Sequence, residues 1–173
     1  MSSGNGPGEG YRHPGDGWLD CPWGHRHWGL HGAAGLLVVR FDGDAPAAVI
    51  LQHRSPWSHQ GSTWSIPGGA AMPGETRLAA ALREATEEAG IGPAQVRPFA
   101  RYLFEHPGWS YTTVVAEAIG DWDPTETDAE SLEVTWVPTD VVPTMDLHEA
   151  FAAGWPALLS LATMQRGATW TEA

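Results

Sequence analysis

The sequence predicts an α/β (α+β) fold in which a mixed β-sheet lies between helices. Three observations lead there. Two apolar, β-branched runs, AAGLLVVRF (33–41) and AAVILQHR (47–54), open the chain's apolar part. A strongly helical stretch then interrupts the strands, and a second helical stretch follows the last of them. Strands on both sides of a helix, with another helix at the end, are buried most readily as layers around one sheet. The 173 residues and 42% hydrophobic content suit one packed domain.

The first 17 residues, MSSGNGPGEGYRHPGDG, read as a flexible glycine-rich tail, with a single domain over 18–173. They have neither the apolar centre nor the cleavage site of a secretion signal. FDGDAP joins the first two strands as a hairpin-like turn. SPWSHQGSTWSIPGG mixes Ser, Gly and Pro, so a loop is expected to close on a short strand at 64–66. A glycine turn leads to a helix from about Thr76 to Ala89, where Leu78, Leu82, Ala85 and Ala89 line one face and Gly90 is the stop. RPFARYLFE (97–105) and SYTTVVAEA (110–118), joined through HPGW, and LEVTWVP (132–138) are further strands. The acidic DWDPTETDAES is a loop. A last helix is expected from near Asp146, strained or broken around Gly154 and Pro156.

Twenty-one acids face nine bases, all arginine, for a formal charge of −12. So few cations argue against long nucleic acid as a partner. A small anionic ligand fits only if bound cations invert the local electrostatics. No apolar run reaches the roughly 18 residues of a membrane helix, and one cysteine, Cys21, rules out an internal disulfide. A cytoplasmic location is the expectation.

Chemistry concentrates in PGGAAMPGETRLAAALREATEEAGI (67–91). At 100° per residue Glu84, Glu87 and Glu88 share an arc away from the apolar stripe, and like charges at that spacing repel. Hard divalent cations such as Mg²⁺ want such oxygen ligands. Gly68 and Gly69 allow a backbone path bringing a carbonyl near a cation, Glu75 suits a helix start, and Arg83 can hold one glutamate.

This stretch resembles the signature box of the Nudix hydrolases (MutT-like pyrophosphohydrolases). Gly69 is followed after five residues by Glu75, and after seven more by Arg83, Glu84, Ala85, Glu87, Glu88, Gly90 and Ile91, so every fixed position matches. The resemblance implies a Nudix-type α/β/α sandwich with its core at about 28–165. It also implies hydrolysis of a nucleoside diphosphate derivative with Mg²⁺ or Mn²⁺. Glu84, Glu87, Glu88 and the Gly69 carbonyl would then be metal ligands. A phosphoanhydride resists attack until cations neutralise it and acidify a bound water. Glu84 or Glu130 is expected to take that water's proton, with Glu126 and Glu133 as competitors for the second role. A Nudix-like module that binds nucleotide or protein without hydrolysis is the alternative.

Outside the box, Arg54 is placed to meet a phosphate, and Trp57, Trp64, Trp109 and Tyr111 are candidates to stack on a base. Pro107 resembles the proline of many ADP-ribose hydrolases of the family, but the expected downstream glutamate is missing and a turn accounts for it equally. ADP-ribose and nucleoside triphosphates, normal or oxidised, both stay open as substrates, as does oligomeric state, a homodimer included. Cys21, His25, His27 and His31 have the residue types of a zinc site without a familiar zinc spacing, so none is expected.

Overall fold

The computed structural model describes residues 13–172. Its main strands are β3 (Ala33–Asp42), β4 (Ala45–Arg54), β7 (Val96–His106), β8 (Trp109–Ala118) and β9 (Ser131–Pro138), all at expected places. Three short strands add to them: a β1 (Trp18–Asp20) and β2 (Arg26–Trp28) hairpin that the sequence did not signal, and β6 (Gly68–Ala70) in the expected glycine turn. β5 (Trp64–Ser65) is the short strand expected before it.

β3 runs parallel to β8 and antiparallel to β4, so the sheet is mixed, in the order β5-β4-β3-β8-β7. β6 also pairs with β3, with Gly69 opposite Ala34, and β9 pairs with β4. Because successive strand residues face opposite ways, the apolar runs feed two cores. Leu36, Val38, Ile50, Val114 and Ala116 lie on one face with Ala80, Ala81, Ala85 and Ala89 of helix α1 (Arg77–Ala89). Leu37, Val39, Val49, Leu51 and Val115 lie on the other with Phe151, Trp155, Leu158 and Ala162 of helix α2 (Glu149–Gln165). The result is the expected α/β/α sandwich. Each fully buried Leu, Ile or Val contributes about 1.5–3 kcal/mol.

Thr76 caps α1 by accepting the Ala79 N–H at 3.1 Å. Gly90 ends it at φ 64°, where its own N–H and that of Ile91 bond the Thr86 and Ala85 carbonyls. Only a residue without Cβ takes that left-handed conformation cheaply. α2 departs from expectation by running unbroken through Pro156. The missing N–H costs one helical bond, and the buried row of Phe151, Trp155, Leu158 and Ala162 outweighs it.

The tail boundary also changes. Residues 13–17 pack on the domain: Gly29 and Leu30 donate their N–H groups to the carbonyls of Gly17 (2.7 Å) and Gly15 (2.9 Å), and Asp16 is buried. The expected tail over 1–12 lies outside the described residues.

Candidate active site

The two ends of the box meet where α1 crosses β6. Rotation of α1 about its axis differs from the expected one. Leu78 and Leu82 are only partly buried, while Ala81, Ala85, Glu84 and Glu88 face inward, the two glutamates 8% and 4% exposed. Residues seven apart on a helix differ by only about 20°, so Ala81 and Glu88 must share a face. Small alanines let the helix approach the sheet closely and carry both carboxylates in with it.

β6 provides the facing wall. A Cβ on Gly69 would stand 2.6 Å from the Glu84 carboxyl carbon, so the glycine is required by close approach, and its φ is not left-handed. The Gly68 N–H donates to Glu88 at 3.0 Å. Behind them Arg83 organises the acids. Its Nε and Nη2 bond the two Glu75 oxygens, each at 2.9 Å, Nη1 bonds Glu84 at 2.6 Å, and Nη2 also reaches the Ala70 carbonyl at 2.9 Å. Glu75 in turn accepts the Met72 N–H at 2.8 Å. Glu87 is half-buried, 3.7 Å from Arg83 and 3.3 Å from His13 Nε2.

Electrostatics divide these acids into two groups. Burial opposes ionisation of Glu75, yet the hydrogen bonds from Arg83 and Met72 outweigh it and hold its carboxyl below the usual range. Burial pushes Glu84 up to about 7 despite Arg83, with Glu87 adding to the rise. Glu88 is pushed well above the ordinary carboxylate value, first by burial and then by the charges of Glu84 and Glu130. Without a cation, the inner pair resists ionising together.

A cleft of about 110 Å³ opens here, lined by His13, Asp16, Trp28, Arg54, Gly68, Gly69, Ala70, Glu84, Glu87, Glu88 and Glu130. Five of these are carboxylates and one is an arginine. The cleft thus gathers Gly69, Glu84, Glu87, Glu88, Glu130 and Arg54, all expected from sequence. Of the competitors for Glu130, Glu126 is occupied in accepting the Val134 N–H at 3.0 Å, and Glu133 points from β9 outside the cleft lining. His13, Asp16 and Trp28 were missed. They come from the expected tail and the unsignalled hairpin, and no local pattern marks them.

The aromatic candidates are not brought to the cleft. Trp57 is 53% exposed on its loop. Trp64 stacks on His53, with centroids 4.7 Å apart, and Trp109 stacks on His27 at 4.2 Å. The Tyr111 hydroxyl reaches the backbone at Gly35 and Gly68, behind the cleft wall. Pro107 and Gly108, the latter at φ 79°, form the two-residue turn between β7 and β8, so the turn explanation suffices.

The donor set suits a hard divalent cation: carboxylate oxygens, one of them nearly fully buried amid like charges, facing a glycine backbone. The fold and this site define an α/β/α sandwich with an acid-lined cleft between a glycine-rich strand and a helix. A family model described as the NUDIX domain matches residues 29–158, and the chain belongs to the Nudix hydrolase family. It is similar to a "Nucleoside triphosphate pyrophosphatase/Nudix hydrolase fusion protein" of Bifidobacterium longum, 45% identical over 154 residues. That match covers 87% of this chain and 32% of the relative, so the chain spans about a third of that protein's length. A Mycobacterium tuberculosis protein named "Putative 8-oxo-dGTP diphosphatase 3" is 42% identical over 153 residues, covering 85% of this chain and 70% of the other. Among solved structures, a Nudix hydrolase from M. Smegmatis, RenU, superposes with a TM-score of 0.78 at 43% identity, covering 87% of this chain and 97% of that one. A C. elegans Ap4A hydrolase, at 21% identity and TM-score 0.61 over 75% of this chain and 96% of its own, shares the fold.

Proposed function

We propose that the protein is a divalent-metal-dependent pyrophosphohydrolase whose substrate is a nucleoside triphosphate, oxidised purine nucleotides included. The observation that carries this reading is the convergence of Glu84, Glu87, Glu88 and Glu130 with the Gly69 backbone and Arg54 on one cleft. A polyphosphate would be repelled from so acidic a lining unless cations came with it. Glu84, Glu87, Glu88 and the Gly69 carbonyl would hold Mg²⁺ or Mn²⁺, which when bound supplies charge neutralisation and an acidified water. Glu84 or Glu130 accepts the proton of the attacking water. As the new P–O bond forms, the anhydride P–O bond breaks and the bridging oxygen leaves with its electron pair. Arg54, the arginine of the cleft lining, meets a phosphate oxygen, and Arg83 keeps Glu84 and Glu75 in place without touching substrate. The names of the tuberculosis and Bifidobacterium relatives favour triphosphates over ADP-ribose.

The test is a panel of substrates with Mg²⁺ or Mn²⁺: normal and oxidised nucleoside triphosphates, ADP-ribose, NADH, dinucleoside polyphosphates and sugar nucleotides, with products resolved. Triphosphate cleavage to a nucleotide and an inorganic phosphate product supports the reading. Turnover of ADP-ribose alone overturns the substrate class. Tight nucleotide binding with no turnover of any member supports the non-hydrolytic alternative.

A further inference from the structure

We propose a second metal site, for a thiophilic divalent ion such as Zn²⁺, formed by Cys21, His27 and His106 and separate from the carboxylate cleft. The three side chains come from three places: the turn after β1, strand β2, and the last residue of β7. Their ligand atoms all lie within 4.8 Å of one another. His106 Nδ1 is 3.5 Å from Cys21 Sγ and 3.0 Å from His27 Nε2. A tetrahedral Zn²⁺ with bonds of about 2.0–2.3 Å separates its nitrogen and sulfur ligands by roughly 3.3–3.6 Å, so the two edges at His106 need only small adjustment, and the Cys21–His27 edge, within 4.8 Å, closes by a side-chain rotation.

Hydrogen bonding alone accounts poorly for the cluster. A ring nitrogen has either one proton or one lone pair, so His106 Nδ1 makes one good hydrogen bond, yet two donors or acceptors converge on it. A cation inside the triangle satisfies all three atoms at once, with the Cys21 thiol releasing its proton on binding. The His25 ring lies 4.9 Å from that of His106 and 6.3 Å from that of His27, next to the cluster. His31, the other member of the sequence cluster, is exposed and outside the group. The ligand missing from the sequence pattern was His106, 79 residues beyond His27.

The ion fastens the β1–β2 hairpin to the tip of the β7–β8 hairpin. A Trp109 Nε1–H bond to the Trp28 carbonyl, at 3.2 Å, also ties this seam. Trp28 lines the catalytic cleft, and the carbonyls of residues 15 and 17 are bonded to the residues that follow it. With a single cysteine and no disulfide, the chain has no covalent staple for this corner. The site's role is to hold the cleft's N-terminal wall in place.

The test uses full-length protein without a polyhistidine tag, stripped with chelator and returned to millimolar Mg²⁺ to occupy the carboxylates. Zn²⁺ titration against a chromogenic competitor is expected to give one equivalent per chain in wild type and in Glu88→Gln. That equivalent should be lost in Cys21→Ser and in His106→Gln, with folding checked by circular dichroism. Co²⁺ should give tetrahedral visible bands and a near-ultraviolet thiolate charge-transfer band, the latter absent from Cys21→Ser. Melting temperature should rise with Zn²⁺ in wild type and not in His106→Gln. No zinc equivalent in wild type, or full retention of it by either folded variant, overturns the proposal. Should Cys21→Ser fail to fold, His106→Gln and the wild-type Co²⁺ spectrum decide.

Discussion

Glu88 and Arg83 carry the sharpest consequences at the scale of single residues. Because burial and the charges of its neighbours favour the protonated form of Glu88 in the metal-free protein, Glu88→Gln, which mimics that neutral form, should cost little metal-free stability. The same variant should lose turnover by orders of magnitude, since the amide is a poor ligand for a hard cation. Melting curves in chelator and in Mg²⁺, beside product release, check both halves; wild-type turnover would remove Glu88 from the site. Glu84→Gln should behave differently, because it takes a charge from the 2.6 Å bond to Arg83. Arg83→Met strands Glu75, whose side chain is 12% exposed, and breaking such a pair costs about 3–5 kcal/mol. Arg83→Lys should recover only part of that, since one ammonium cannot span Glu75, Glu84 and the Ala70 carbonyl in a planar fork. Equal urea midpoints for wild type and Arg83→Met would show that the ion pair holds nothing.

Among the elements, the β6–α1 contact separates steric from conformational uses of glycine. Gly69→Ala puts a methyl group 2.6 Å from the Glu84 carboxyl carbon, so the carboxylate or the strand must shift. The expected cost is about 1–3 kcal/mol together with a large drop in kcat. Gly90→Ala strains a left-handed cap at the other end of the helix, for a cost of about 1–2 kcal/mol, and should leave activity per folded molecule almost intact. If both variants lose activity equally, close packing at Gly69 is not what positions Glu84. The 13–17 segment belongs to this scale too. Removing residues 1–17 should lower activity about tenfold or more, because His13 sits on Glu87 and Asp16 lines the cleft. Loss of a tail alone would change it little.

For the whole molecule, the buried acids make stability depend on pH with a sign set by the metal. The folded-state pKa of Glu84, about 7, lies above the ordinary glutamate value of about 4.3, so between those values the folded state holds a proton the unfolded state has released. Metal-free stability should therefore fall as pH rises through this window, by an amount on the order of 3 kcal/mol from this group. Glu88, also raised by burial and by the charges of Glu84 and Glu130, adds a contribution of the same sign. Glu75 acts oppositely: its lowered pKa gives stability that is present above the unfolded value and lost in acid. Saturating Mg²⁺ should flatten or reverse the neutral decline, since the cation favours the ionised carboxylates. Chemical denaturation from pH 5 to 8, with chelator and with Mg²⁺, measures this. Chelated stability that climbs between pH 5 and 7 would mean that Glu84 is not buried as described.

Local sequence determined what depends on near neighbours. The spacing from Gly69 to Ile91 placed Glu84, Glu87, Glu88, Arg83 and a cap on a single helix, because helical geometry fixes angles between residues a few positions apart. Apolar runs with strand-forming residues marked the five long strands, and alternation within them divided the side chains between two faces. Tertiary structure alone decided how α1 is rotated against the sheet, because that depends on which small side chains allow close approach; this turned Glu84 and Glu88 inward. It also decided what meets across the chain. His13 reaches Glu87 over 74 residues, and Cys21 reaches His106 over 85. It placed Trp64 and Trp109 against histidines instead of the cleft. Such contacts are set by the path of the folded backbone, and a single sequence carries no periodicity that links positions so far apart.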